Sequence, residues 1–417
     1  VSETLDAVVV GAGPSGCCTA TTLARAGRSV LLLDRDPEPR FKIGESLLPW
    51  NMPIFEEIGF LPKLHAAGFQ PKYGAMFWNE MTGGVRDIVF KDSLPPQRPY
   101  AFQVQRVKFD GLFAEHARSS GAQVRRGIRV IEPILEGERV VGVRVEGPGG
   151  APEEIRAKIV VDATGQAALL ASRMKMRKGD PNLKRAAMYA HWEGTWRDQG
   201  DRAGDILLPF VKDVWYWVIP FSDGSSSVGA VFEPSLIAGR SNAKEELYDE
   251  LLSRSRKMKE ILANGRRTTQ VYGTADYSIT ADRFAGDGWV LVGDAATFLD
   301  PVFSTGVYLG TSAGFRAAQV IDRALSKRGR VLSSDFKAYE KTTRGMVERL
   351  KPFVYGYYDP IFTEAFCSEA PFDKMRAAVV STLSGDVVTP SVRVRFWKWA
   401  MLKSVEMLRY SKRFQPA

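Results

Sequence analysis

Gly11-Ala12-Gly13-Pro14-Ser15-Gly16 constrains this chain more than any other feature. The six residues follow a short apolar run, Asp6 to Val10, and open a stretch of small residues that runs to Ala26. Gly27 ends that predicted helix, and Ser29 to Leu33 form a second apolar run closed by Asp34. Strand, glycine turn, helix and strand in this order make one βαβ unit. In such a unit Gly11 permits the tight turn, Gly13 lets the backbone approach a pyrophosphate, and Gly16 lets the helix pack on the strand. Pro14 and Ser15 then open the helix, where free N–H groups and the dipole favour negative charge. Asp34 stands where a carboxylate accepts from a ribose hydroxyl. Together these pieces predict dinucleotide binding.

The chain has 417 residues, enough for two packed domains. No apolar run reaches the ~18 residues of a transmembrane helix, so no stable membrane insertion is expected. The first residues show no basic segment followed by an apolar one, so no secretory signal is expected either. Of three cysteines, Cys17 and Cys18 are adjacent in the predicted helix and point in different directions. Cys367 stands alone, and the pattern fits a reducing, cytoplasmic location.

Net charge is +9, with much of the excess at one end. Between Ser391 and Ala417 seven bases (Arg393, Arg395, Lys398, Lys403, Arg409, Lys412 and Arg413) face one acid, Glu406. Val394, Trp397, Met401, Leu402, Val405 and Leu408 recur there at near-helical spacing. The stretch reads either as a packed terminal helix with a solvated basic face or as a docking surface for an acidic partner such as a carrier protein. No nucleic-acid-binding module accompanies the charge, so no nucleic acid is expected as partner.

Further along, a turn at Gly147-Pro148-Gly149-Gly150 separates strand patterns Val140–Val145 and Ile155–Val161. More strands are expected at Met188–Trp192, Val214–Ile219, Ser226–Phe232 and Trp289–Val292, and mostly helix from about Gly306. The fold class is therefore α/β, a GxGxxG Rossmann-like domain with an inserted antiparallel β-sheet domain and a helical C-terminal region. Residues 1–70, 100–180 and 270–330 are expected in the nucleotide domain, 71–99 and 181–269 in the substrate domain, and 331–417 in the helical region.

Ile159-Val160-Val161-Asp162-Ala163-Thr164-Gly165 is a second strand ending in an acid and a glycine turn, and Trp289-Val290-Leu291-Val292-Gly293-Asp294 a third. In these segments the chain resembles the FAD monooxygenase superfamily of the p-hydroxybenzoate hydroxylase type. The resemblance implies FAD as cofactor, with Gly293 and Asp294 at its ribityl chain and pyrophosphate. It places Arg40, Ser46, Gln103, Arg106, Asp162, Pro301, Gly306 and Val307 among further cofactor contacts. For Arg40 and Arg106 a surface ion pair is the competing reading.

Four more segments narrow the superfamily: Phe41-Lys42-Ile43-Gly44-Glu45-Ser46-Leu47-Leu48-Pro49, Trp215-Tyr216-Trp217-Val218-Ile219-Pro220, Asp300-Pro301-Val302-Phe303-Ser304-Thr305-Gly306-Val307, and Phe69-Gln70-Pro71-Lys72-Tyr73-Gly74-Ala75-Met76-Phe77. They resemble, in order, the corresponding segments of flavin-dependent halogenases, and most of all the branch acting on phenols and carrier-bound pyrroles. That resemblance implies a natural-product, antibiotic-type biosynthetic role and chloride or bromide as co-substrate. It also implies reduced FAD supplied by a separate flavin reductase. Halide attacks the oxidant that reduced FAD makes from O₂ and becomes hypohalous acid. Lys72 is then implied to carry the halogen, as an N-haloamine or through a hydrogen bond to the acid, and burial should lower its pKa toward neutrality. Glu45 is the candidate to orient the halogenating species or accept the ring proton, with a structural carboxylate as the other reading. Trp215 and Trp217 alternate on one strand and share a face, where they either separate flavin from substrate or form core. Thr305 and Gly306 lie in a turn ahead of a helix, where their amides suit a halide, with packing on the flavin ring as the other reading.

Thr297 stands where many relatives have cysteine, and Tyr308 where many have histidine. Tyr355, Tyr357 and Tyr358, near Phe353 and Phe362, either line a substrate pocket or form the core of a helical cap. His65, His116 and His191 show no metal spacing and receive no role. Competing functions are an aromatic hydroxylase, a saturating reductase of the geranylgeranyl reductase type, and a non-catalytic flavin-binding or carrier-docking protein. Halide dependence separates the leading reading from all three.

Overall fold

The computed structural model describes residues 4–96, 98–240, 243–368 and 372–413. Residues 1–3 and 414–417 and the side chains of Lys412 and Arg413, which the sequence reading used, lie outside the described residues.

The apolar run Leu5–Val10 is a buried strand at the centre of a parallel sheet. Val30–Asp34 flanks it on one side and Pro152–Asp162 on the other. Gln123–Arg126 and Trp289–Leu291 extend the sheet in the same direction. Its central strands, Leu5–Val10 and Val30–Asp34, are largely aliphatic because helices cover a parallel sheet on both faces, while the edge strand Gln123–Arg126 is polar. The register decides where chemistry gathers. Val10 pairs with Leu33 and with Asp162, and Asp162 pairs with Leu291. Gly11, Asp34, Asp162 and the Gly293–Asp294 turn therefore leave the sheet at one edge. Ligands of open α/β sheets bind at that carboxyl edge.

Pro152–Asp162 serves two sheets. Its first half pairs antiparallel with Arg139–Glu146, which pairs in turn with Arg129–Glu136, and its second half enters the parallel sheet.

A second large sheet runs in the order Arg266–Arg267, Ala186–Glu193, Ser225–Phe232, Val214–Pro220, Ile206–Phe210, Gly74–Asn79 and Val85–Val89. Tyr272–Ala275 also joins Ala186–Glu193, a few residues beyond the expected boundary at 269. The sheet departs from the expected pure antiparallel pattern at one pair, since Ile206–Phe210 runs parallel to Gly74–Asn79. A parallel pair needs a long crossover, and the chain between these strands travels through the nucleotide layer. Val214–Pro220 is buried on both faces. Trp215, Trp217 and Ile219 enter the core shared with the nucleotide layer, while Val214, Tyr216 and Val218 pack under Leu247, Tyr248 and Leu251. A short ladder, Gln70–Lys72 against Ala101–Gln103, links the layers and carries Lys72.

Helix Gly306–Arg328 crosses helix Pro14–Arg25 through glycines. A Cβ on Gly314 would meet the Ser15 carbonyl oxygen at 2.5 Å. The C-terminal region is helical as expected: Lys337–Tyr357, Pro360–Cys367, Asp373–Leu383 and Val392–Arg413. Among the described residues no helix is long and apolar enough to cross a membrane. Cys17, Cys18 and Cys367 are buried free thiols.

The helix crossing yields a stability prediction. Gly314→Ala forces overpacking against backbone, which costs about 1–3 kcal/mol. Thermal unfolding should show a clearly lower midpoint, and an unchanged midpoint would refute the close approach.

Candidate active site

The three motif glycines have three different surroundings. Gly11 has φ 106°, and a Cβ there would meet the Ala163 carbonyl at 2.3 Å. A Cβ on Gly16 would meet the Gly11 carbonyl at 1.9 Å. Gly13 is ordinary extended backbone, and nothing lies within 4 Å of its Cβ position. The first and third positions are filled by protein, whereas the second faces open space in front of the Pro14–Arg25 helix. That cradle suits a pyrophosphate on a helix N-terminus.

Asp34 ties down the turn, accepting from the Ala12 N–H at 2.6 Å and the Asp36 N–H at 2.9 Å. It lines a narrow cleft with Ala12, Glu38, Arg40 and Arg126. Arg40 is exposed on the rim, 2.7 Å from Asp36. Arg106 is buried, forked onto Asp110 at 2.8 Å through two nitrogens and donating to the Ile43 carbonyl at 2.6 Å. The surface ion-pair reading fails, because the pair is buried and clamps the Ile43–Glu45 loop. Val307 abuts the same loop, 3.3 Å from where a Gly44 Cβ would stand. Asp162 spends its carboxylate internally, accepting from Thr164 N–H, Thr164 Oγ1 and Leu170 N–H at 3.0, 2.6 and 2.7 Å. Gly293 brings its turn against Ser15, whose Oγ lies 2.2 Å from a Cβ built there. Burial pushes the neighbouring Asp294 carboxyl up to about 6, opposed by the Gln166 amide bonded to it at 3.3 Å. The buried amide oxygens of Gln103 and Gln166 lack a partner among the described residues. Buried acceptors are rarely left unpaired, so both mark places for a polar ligand group.

Lys72 is 1% exposed. Its Nζ donates to Ser46 Oγ at 2.8 Å and the Leu47 carbonyl at 3.1 Å, and lies 5.3 Å from the Phe90 ring centre. Burial lowers its pKa to about 7, opposed by the negative charge of Asp205. Asp205, also desolvated, is pushed up to about 6. Lys72 opens onto a chamber walled by Leu48, Phe77, Phe90, Leu208, Phe303 and Ser304. Its volume, about 20 Å³, suits a body the size of a water molecule.

Glu45 precedes Ser46 yet turns away from this chamber. Its carboxylate accepts from His191 Nε2 at 3.1 Å, with the backbone N–H of Arg106 at 3.4 Å. His191 in turn stacks on Phe41, ring centres 4.1 Å apart. The sequence reading gave His191 no role. Strand alternation from Tyr189, which packs on Trp217, was the available signal for its face.

Trp215 and Trp217 are buried side by side, ring centres 6.0 Å apart. Trp215 Nε1 donates to the Tyr358 hydroxyl at 3.0 Å, and that hydroxyl donates to Asp300 Oδ2 at 2.9 Å. Asp300 also accepts from the Val302 N–H at 2.9 Å, and burial pushes it up to about 6. The relay joins the tryptophans to the Asp300–Val307 turn through a tyrosine of the C-terminal region. Tyr357 packs on Trp215, Phe77 and Phe303, so it stands directly behind the chamber wall. Tyr355 lies outside, donating to Asp180 at 2.5 Å. The tyrosine cluster thus divides between wall and periphery.

The turn itself includes half-buried Pro301 and Ser304, whose φ of 57° is left-handed. Buried Thr305 occupies the N-cap position of the helix that starts at Gly306 without a side-chain bond to its first turn. First-turn N–H groups of a helix have no helical acceptor and point outward. Ser304 lines the Lys72 chamber, so this anion-favouring end and the amine share one neighbourhood.

The glycine geometry separates binding from folding. Gly13→Val should leave the apoprotein folded while abolishing FAD retention, because only the open cradle is filled. Gly16→Val should instead lose stability. Flavin absorbance and thermal unfolding of the two purified variants check this; a flavin-loaded Gly13→Val protein contradicts it.

The FAD binding domain family matches residues 4–352. A 1H-pyrrole-2-carbonyl-[peptidyl-carrier protein] chlorinase of Pseudomonas fluorescens is 30% identical over 409 residues, covering 92% of this chain and 89% of that protein. A solved flavoprotein/dehydrogenase of Cytophaga hutchinsonii superposes with a TM-score of 0.89 at 28% identity, covering 98% of this chain and all of that one. The myxobacterial chondrochloren halogenase, described as a variant of FAD-dependent halogenases, superposes with a TM-score of 0.81 at 29% identity, covering 96% of this chain and 97% of that one. Relatives named as halogenases align along nearly the whole chain, and this protein belongs to the flavin-dependent halogenases of the FAD binding domain family.

Proposed function

We propose that Lys72 carries oxidised halogen to an electron-rich aromatic ring, a phenol or a pyrrole delivered on a carrier protein. The observation that carries this reading is a fully buried amine with a pKa of about 7 on a small chamber. Half of such amines are uncharged at neutral pH and so nucleophilic. Bound FAD, reduced by a separate flavin reductase, supplies with O₂ the oxidant that converts chloride or bromide to hypohalous acid. Gly11, Gly13, Pro14, Ser15, Gly16, Asp34, Gly293 and Asp294 are the residues we assign to holding it. The reading places the enzyme in the cytoplasm, where reduced nicotinamide feeds such a reductase.

The Lys72 amine attacks the halogen of hypohalous acid. An N–halogen bond forms, the O–halogen bond breaks, and water leaves with one amine proton. The ring then attacks the halogen, the N–halogen bond breaks, and the amine regains the proton that the ring loses. Ser46 and the Leu47 carbonyl hold Nζ in place through both steps. Thr305 and Gly306 offer the helix-start amides to halide. Trp215 and Trp217, fixed by Tyr358 and Ser227, keep the ring away from the flavin. Glu45 acts through position: with His191 it fixes the loop that presents Ser46.

The test combines the protein with FAD, an unrelated flavin reductase, NADH, O₂ and bromide, over simple phenols and a carrier-tethered pyrrole. Mass spectrometry should find paired bromine isotope peaks that depend on bromide. Lys72→Ala should lower the rate by roughly a thousandfold or more while FAD stays bound. Oxygenated products without bromine would move the assignment to a hydroxylase.

The pKa of Lys72 also predicts a pH profile. Bromination should rise with pH through about 7, as the ammonium gives up its proton. Asp205 holds that pKa up, so Asp205→Asn should move the rising limb to lower pH. Rates of both proteins from pH 5 to 9 decide the matter, and a limb that moves to higher pH refutes the coupling.

A further inference from the structure

The helix Val392–Arg413 has two apolar faces. Val394, Met401 and Val405 are buried against the body. On the opposite side Val392 (70% exposed), Phe396 (53%), Trp399 (55%) and Met407 (66%) follow one another at helical spacing. Lys403, paired with Glu406, sits within this stripe between Trp399 and Met407. Phe396 and Trp399 lie 6.1 Å apart and form one aromatic patch. Exposed Phe372 extends it, 5.7 Å from Trp397. Arg393 and Arg395 are exposed at the N-terminal end of the same helix. Glu406, the one acid of this helix, is engaged by Lys403 at 2.6 Å. Contiguous exposed aromatic surface of this kind marks an interaction site.

We infer that this face docks an acidic carrier domain that brings the aromatic acyl group on its tether. The inference rests on the proposed reading that the ring arrives carrier-bound. Two observations choose the occupant. Unbalanced arginines beside aromatic anchors complement an acidic surface with an apolar centre. The helix also packs along Asp373–Leu383, whose last residue, Leu383, lines the Lys72 chamber. The docking helix and Asp373–Leu383, whose axes pack about 8–10 Å apart, therefore lie in series between the docking face and the reaction site, a span for a flexible tether.

The test titrates flavin-loaded enzyme into a fluorescently labelled, net-negative carrier domain bearing a pyrrole-2-carboxyl thioester and reads anisotropy. Phe396→Ser/Trp399→Ser should weaken binding about tenfold or more. Arg393→Glu/Arg395→Glu should weaken it as well, with an effect that shrinks as salt is raised. Both variants should brominate free phenols at the unaltered rate and keep their flavin spectra. Equal affinity of parent and variants overturns the inference, as does preferential capture by phosphatidylglycerol vesicles through the same residues. Carrier binding by an enzyme that brominates nothing would leave the docking face standing and sink the halogenase mechanism instead.

Discussion

Taking an ammonium out of water is expensive, and this protein does so at Lys72 with no carboxylate in hydrogen-bonding contact among the described residues. The amine responds by giving up its proton near neutrality. Its two partners, a serine hydroxyl and a backbone carbonyl, stabilise a donor without restoring its charge. Asp205 acts at longer range, its carboxyl pushed up to about 6 by burial but still carrying the charge that opposes the Lys72 shift. A neutral lysine is a nucleophile for electrophilic halogen; a charged one is not. The architecture around it reads as the means of keeping that amine dry, from the short ladder Gln70–Lys72 to the phenylalanines Phe77, Phe90 and Phe303.

The chamber wall depends on elements distant in sequence. Asp300 belongs to the turn before the long helix, Trp215 to the second sheet, and Tyr358 to the C-terminal region. Their hydrogen-bonded chain couples the start of the Gly306–Arg328 helix to the tryptophan pair. The nucleotide layer obeys a different constraint. Parallel register brings Gly11, Asp34, Asp162 and Gly293 to one sheet edge, so motifs hundreds of residues apart become one site. Asp162 shows that such an edge also needs internal carpentry, since its carboxylate holds the Thr164–Leu170 turn.

Much of this was legible in the sequence because it obeys local rules. Glycine spacing announced the cradle, and the structure gives the three glycines distinct environments that follow the motif's logic. Strand alternation put Trp215 and Trp217 on one face with Tyr216 on the other. The amphipathic pattern of the last helix matches its buried face at Val394, Met401 and Val405, whereas Leu408 of the same pattern is exposed, and the outer face carries an aromatic stripe that the pattern did not include. Contacts set by tertiary folding were not legible. His191 meets Glu45 across 146 positions, and Tyr358 reaches Asp300 and Trp215 from a region with no motif. The parallel pair Ile206–Phe210 with Gly74–Asn79 leaves no trace in periodicity, because direction is set by the crossover.

The protonation of Lys72 is the quantity on which the account turns, and nuclear magnetic resonance can read it directly. Protein carrying lysine labelled with ¹³C at Cε is titrated from pH 5 to 11, with Lys72→Met assigning the signal. The account predicts one lysine with a midpoint near 7, absent from the variant, while ordinary lysines titrate near 10.4. A Lys72 signal that titrates with the others would mean a charged amine at working pH, and would contradict its role as the halogen carrier.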